Sequence, residues 1–172
     1  MFDVKVTTSK ASSDCGAACM VSFLAYYGKN VSLDEIRKEC IKVQGASGKD
    51  LLICGRKRGL DMIPWKEKWV TWLEGKEDGE TTDVEIFNQD RPAICLWEKR
   101  HWIIYCGMDD KDPDRVVIMN PSRGRFSIDK SLFESFYSGV FLTDGIPQEL
   151  PKTPVEGVPE TAQEEQNDEE AC

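Results

Sequence analysis

Asp14 to Gly28, DCGAACMVSFLAYYG, is apolar on nearly every side, which predicts a helix sunk in the core rather than lying on its surface. Gly28 supplies its left-handed stop. Ser32 followed three residues later by Glu35 is a capping-box signature, and it opens a second, amphipathic helix running to about Ile41. After the flexible link Gln44 to Gly48, Ser47 and Asp50 open a third helix through Leu51, Leu52, Ile53 and Cys54, ended by Gly59. An extended stretch begins at Leu60 to Pro64, and Thr82 to Asn88 suits a short helix.

The pattern then changes period. Pro92–Trp97, His101–Met108 and Arg115–Met119 are apolar runs rich in β-branched and aromatic residues, separated by Glu98 to Arg100 and by Asp109 to Asp114 with Pro113. A turn at Asn120 to Gly124 precedes Phe126–Ile128, and Val140–Leu142 suits a last strand. Helices first and an antiparallel meander second predict an α+β domain. From about Pro147 onward, repeated prolines, many glutamates and few large apolar residues predict no packed structure, because too little burial is available to offset the entropy of ordering. The expected organisation is a folded domain over residues 1–146 and an acidic, Pro/Glu-rich disordered tail over 147–172.

Composition changes this picture in three places. The formal net charge of the 172 residues is −9, but residues 149–172 carry eight acids against Lys152 alone. The domain is therefore nearly neutral, which gives no reason to expect a nucleic-acid partner. Charges interrupt every apolar run before it reaches membrane-spanning length, and the N-terminus lacks a signal-peptide layout, so a cytoplasmic protein without membrane insertion is expected. Seven cysteines, an odd number without a small-scaffold spacing, read as reduced thiols. With no CxxC pair and one histidine, no metal site is expected.

Candidate chemistry gathers on three residues. Cys15 stands where the first helix begins, and unpaired N–H groups and the helix dipole there favour a thiolate, although Asp14 opposes it. Cys19, one turn further in, should be packed and inert. The single histidine, His101, heads an apolar run. With the loop midpoint between Lys111 and Asp112, facing residue numbers should sum to about 223. His101 and Asn120 sum to 221, so a small register shift would make them neighbours on one face. A thiol, a histidine and an amide that orients the ring make a nucleophile, its base and an orienter.

In series, Asp14-Cys15-Gly16-Ala17-Ala18-Cys19, Tyr26-Tyr27-Gly28, Gly45 to Asp50, Arg91-Pro92-Ala93-Ile94, His101-Trp102-Ile103-Ile104 and Asn120-Pro121 resemble the bacteriocin-processing cysteine peptidases. These papain-like domains usually form the cytosolic N-terminal part of peptidase-containing ABC transporters and cut leader peptides after a double-glycine-type motif. The resemblance covers roughly residues 9 to 142. It implies a papain-like fold with Cys15 as nucleophile, His101 as base and then acid, and Asn120 as orienting residue, with no cofactor. It also implies a peptide or precursor substrate with a helical leader, and an ABC transporter as possible partner.

One position departs from that pattern. The family places an oxyanion-stabilising glutamine six residues before the cysteine, where this chain has Ser9. Ser9 and the Cys15 backbone N–H are the candidate oxyanion donors. A lost donor costs about 2.7–4 kcal/mol in the transition state, so a decayed site that only holds peptides is one alternative. A thiol-dependent acyltransferase or deamidase is another. Trp65, Trp69 and Trp72, three tryptophans in eight residues, are candidate substrate contacts together with Trp102, since tryptophan is enriched at binding hot spots.

Overall fold

The computed structural model describes residues 1–40, 45–66 and 85–145. The expected tail, Trp69, Trp72 and the first part of the expected Thr82–Asn88 helix lie outside these residues. Three helices come first: α1 (Cys15–Tyr26), α2 (Leu33–Cys40) and α3 (Gly48–Lys57). Each carries a capping or stop signal its sequence predicts, while the expected end of α2 at about Ile41 lies outside the described residues. Gly28 takes φ +75° just past α1. At α2, Ser32 Oγ accepts the Glu35 N–H at 3.2 Å while Glu35 accepts the Ser32 N–H at 3.2 Å. At α3, Ser47 and Asp50 exchange the same pair of bonds.

The strands are β1 (Met62–Lys66), β2 (Ala93–Trp97), β3 (His101–Asp109), β4 (Asp112–Asn120), β5 (Gly124–Asp129) and β6 (Tyr137–Asp144). They form one sheet in the order β1-β6-β2-β3-β4-β5, with antiparallel pairing throughout. The fold is α+β and papain-like. A short helix absent from the sequence expectation, α4 (Lys130–Phe136), lies between β5 and β6. The Thr82–Asn88 expectation reduces, within the described residues, to a 3-10 turn at Ile86–Asn88.

Period two in the strands divides the core by sheet face. Ile94, Leu96, Trp102, Ile104, Cys106, Val117 and Met119 pack with the buried residues of α1, α2 and α3. Ala93, Cys95, Ile103, Tyr105, Val116 and Ile118 pack on the opposite side with Phe133 of α4. α1 runs against β3 with Ala17, Ala18, Cys19, Met20, Phe23 and Leu24 completely covered, as its all-round apolarity requires. Cys15, Cys19, Cys40, Cys54, Cys95 and Cys106 are all free and buried.

The β3–β4 turn is tighter than expected: the strands continue to Asp109 and from Asp112, leaving two residues between them. Pro113 is accommodated inside β4 because β5 pairs only from Arg115 onward and the β3–β4 ladder is irregular beside it. Nearer the site the register is Tyr105↔Ile118 and Ile104↔Met119, the facing sum of 223.

Candidate active site

Three elements converge at one corner of the sheet. β3 begins at His101 and β4 ends at Asn120, so antiparallel pairing puts both residues at the same end. No register shift is required: with Ile104 opposite Met119, the two residues are diagonal neighbours, and the side chains bridge that offset. His101 Nε2 lies 3.2 Å from Asn120 Oδ1. An amide oxygen accepts only, so this contact places the ring proton on Nε2 and leaves Nδ1 to take a proton from elsewhere. Asn120 Oδ1 also accepts the Ser122 N–H at 2.9 Å, which fixes the amide in a tight turn.

The thiol comes from the other layer. Cys15 is the first residue of α1, 7% exposed, and its ionisation is coupled to the His101 ring. Burial pushes its thiol up, but the interaction with His101, backbone N–H groups of Trp102 and Gly16, and the charge of the imidazolium outweigh burial, so the thiol titrates below its ordinary 9.0. His101 is correspondingly raised above 6.5, first by the interaction with Cys15, against burial, and then by Asn120. Cys19, four residues on, has no such partners and burial drives it well above 9.0.

Asp14, expected to oppose the thiolate, is neutralised. It is fully buried, with Oδ1 accepting from Arg37 Nε at 3.0 Å and Oδ2 from the N–H groups of Ala11 and Lys10 at 2.9 and 3.2 Å. Arg37 belongs to α2, and no local sequence signal pairs it with Asp14, 23 residues away.

Gly16 is required by the close approach of two elements. A Cβ there would meet Ala46 Cβ at 2.9 Å and Trp102 Cδ1 at 3.1 Å. Trp102 is buried at 6% exposure and its indole N–H donates to the Ala46 carbonyl at 2.9 Å, so its ring fills the joint behind the thiol. Trp65 is half-buried on β1, stacked on Phe141 and donating to Thr143 Oγ1 at 2.7 Å. Ser9 lies against the turn after Asn120, its N–H donating to the Pro121 carbonyl at 3.0 Å and its hydroxyl 3.4 Å from the same oxygen.

A groove of about 610 Å³ leads away from His101 and Asn120. Its apolar lining is Trp97, Ile118, Phe126, Ile128, Leu132 and Phe136, and Glu98, Arg100 and Arg123 also line it. Leu132 and Phe136 are 45% and 39% exposed, unusual for large apolar side chains. None of these was singled out from sequence. Asp129 just before α4, with Phe136 one turn after Leu132 and Phe133, is the available signal for that helix.

No helix among the described residues is long and apolar enough to cross a membrane. The described residues hold no group of three or more potential metal ligands.

The sequence profile of the Peptidase C39 family matches residues 3–144. The chain is 22% identical over 140 residues to the probable microcin-H47 secretion/processing ATP-binding protein MchF of Escherichia coli, a match covering 81% of this chain and 18% of that protein. Among solved structures it is similar to a double glycine motif protease from an AMS/PCAT transporter in complex with the leader peptide. That likeness has a TM-score of 0.66 and 24% identity over 82% of this chain and 90% of the other. It is also similar to the peptidase domain of Streptococcus ComA, a bi-functional ABC transporter, with a TM-score of 0.63 and 18% identity, covering 81% and 96%.

Proposed function

The chain belongs to the Peptidase C39 family, and from that premise we propose that it is a cysteine peptidase that cuts a peptide or precursor after a double-glycine-type site in the cytoplasm. The observation that carries this reading is the meeting of Cys15 with the His101–Asn120 pair, assembled from two layers of the fold, in which His101 lowers the Cys15 thiol and is itself raised. His101 takes the Cys15 proton on Nδ1 while Asn120 holds Nε2–H. The thiolate adds to the scissile carbonyl, the backbone N–H of Cys15 helps hold the oxyanion, and His101 then gives its proton to the leaving amine. Water, activated by the same ring, releases the acyl group from Cys15.

The groove beside His101 supports a substrate that docks a helix through apolar residues, since an amphipathic helix needs such a cleft with charged margins. Two glycines at the cut suit a thiol that is only 7% exposed, where a larger side chain could not enter. An ABC transporter as partner rests on what the relatives are; the chain spans 18% of the length of the microcin-H47 protein it matches.

Incubation with a synthetic double-glycine leader peptide tests the reading. Cleavage after the second glycine is expected, lost in Cys15→Ala and His101→Ala and lowered but present in Asn120→Ala. Undiminished cleavage by Cys15→Ala overturns the mechanism. A second reading, a peptide-holding module with a decayed site, is favoured by Ser9, whose hydroxyl lies against Pro121 and Ser122. It predicts that the wild-type chain binds the leader and never cuts it. A third, acyl transfer, predicts that hydroxylamine or an added amine captures the acyl group in place of water.

A further inference from the structure

A second pair of sulfurs meets where α2 packs on α3, in elements that do not supply the catalytic side chains. Cys40 closes α2 and Cys54 lies within α3; they are 1% and 2% exposed, and the ionisation of each is felt by the other. The Cys40 thiol donates to the Asp50 carbonyl at 3.8 Å, one helical turn before Cys54 in α3. Arg58 Nη1 donates to Cys54 Sγ and to the Cys54 carbonyl, each at 3.2 Å. Its guanidinium is held in that position by Glu39, which accepts from Nη1 at 3.0 Å and from Nη2 at 2.8 Å.

The two sulfurs are thereby made unlike. Interaction with Cys40 and the Arg58 cation both favour a thiolate at Cys54 and hold it below 9.0 against burial, while the same interaction pushes Cys40 up. Cys106, by contrast, is pushed up to about 12 by burial. Access is also provided: a hollow of about 190 Å³ between Glu39, Asp50, Ile53 and Lys57 is lined by Cys54 as well. It is large enough for a molecule the size of a small peroxide.

We propose that Cys54 and Cys40 form a peroxide-oxidisable dithiol, a modification site separate from Cys15. The Cys54 thiolate attacks one oxygen of a hydroperoxide; the O–O bond breaks, the sulfur gains OH, and the leaving oxygen departs as water, or as an alcohol, after taking a proton. Cys40 sulfur then attacks the Cys54 sulfenic sulfur. The S–S bond forms, the S–O bond breaks, and the hydroxide leaves as water with the Cys40 proton. Two thiols lose two electrons in total and the peroxide gains them. Cys54 is the attacking sulfur because it is the one beside the cation and the hollow; Cys40 resolves it.

The test treats the full-length chain with hydrogen peroxide, blocks residual thiols with iodoacetamide, and maps the digested peptides by mass spectrometry. The expected product is a Cys40–Cys54 cross-linked peptide lighter by two hydrogens and restored by dithiothreitol. In Cys40→Ser, dimedone should label Cys54. In Arg58→Gln, cross-linking at neutral pH should slow several-fold, with the native circular dichroism retained as the control for folding. Peroxide that oxidises Cys15 while Cys40 and Cys54 remain fully alkylatable in the wild type overturns the proposal, without reference to any variant. So does a cross-linking rate unchanged in folded Arg58→Gln.

Discussion

The two faces of the sheet use apolar residues differently. On the α1–α3 face, Phe23, Leu24, Met20, Ile36 and Leu51 are fully covered, and three helices close the layer. On the other face, α4 is a seven-residue helix whose Phe133 is buried while Leu132 and Phe136 remain open beside the groove. The first arrangement is closed over its interior and holds the fold. The second leaves apolar surface uncovered, which costs stability and is the surface that the proposed leader docking would cover. The candidate active site lies where the faces meet, with Cys15 delivered from the closed layer and His101 and Asn120 from the open one.

The sharpest way to break this contrast is to truncate one side chain on each face. Phe23→Ala should cost about 3–5 kcal/mol of stability, the loss typical of a fully buried aromatic, read as a fall in the denaturation midpoint. Leu132→Ala should leave that midpoint nearly unchanged and weaken leader-peptide binding by roughly 10-fold, the scale of a moderate interface contact, measured by titration calorimetry. If Leu132→Ala instead unfolds the domain and spares binding, the open face is structural.

A second test concerns charge at the corner. Cys15 titrates below its ordinary 9.0 and His101 above its ordinary 6.5, so the thiolate–imidazolium form of the pair is favoured relative to the same two side chains in water. Turnover should follow a bell. It falls on the acid side as the thiolate is protonated and on the alkaline side as His101 loses the proton it must give the leaving amine. In His101→Ala the alkylation midpoint of Cys15 should move upward, because burial then acts with less to oppose it; a midpoint that does not move removes the base from the mechanism.

A smaller effect is expected from Arg37→Gln. Removing that cation leaves the Asp14 carboxylate uncompensated next to Cys15, so the alkylation midpoint should rise, and Arg37→Lys should restore part of the difference. A loss of stability with an unchanged midpoint would make the ion pair purely structural. Smallest of all, Cys19→Ser should keep the thiol chemistry and lower stability slightly, since Cys19 is packed and far from ionising.

Much of the architecture was legible locally. The capping boxes at Ser32 and Ser47 and the stop at Gly28 need only residues within a turn of one another, and the structure has all three. The switch from helical periodicity to β-rich runs after Pro92 located the sheet for the same reason. α4 was missed because its short apolar spacing is ambiguous until β5 and β6 flank it. The β3–β4 turn was placed too wide because Pro113 reads as a breaker, and only the length of the neighbouring β5 makes its position tolerable.

Sequence by itself therefore determined the class of fold, the buried character of α1, and the three residues with the right chemistry for a nucleophile, a base and an orienter. Each of those follows from residue type and near-neighbour spacing. Tertiary structure alone decided how they meet: the diagonal contact of His101 with Asn120, the Arg37 cation that neutralises Asp14, the Gly16–Trp102 joint, and the open groove along α4. Those contacts join residues 19 to 86 positions apart. Their existence depends on strand register and helix packing, which no local run of the chain encodes.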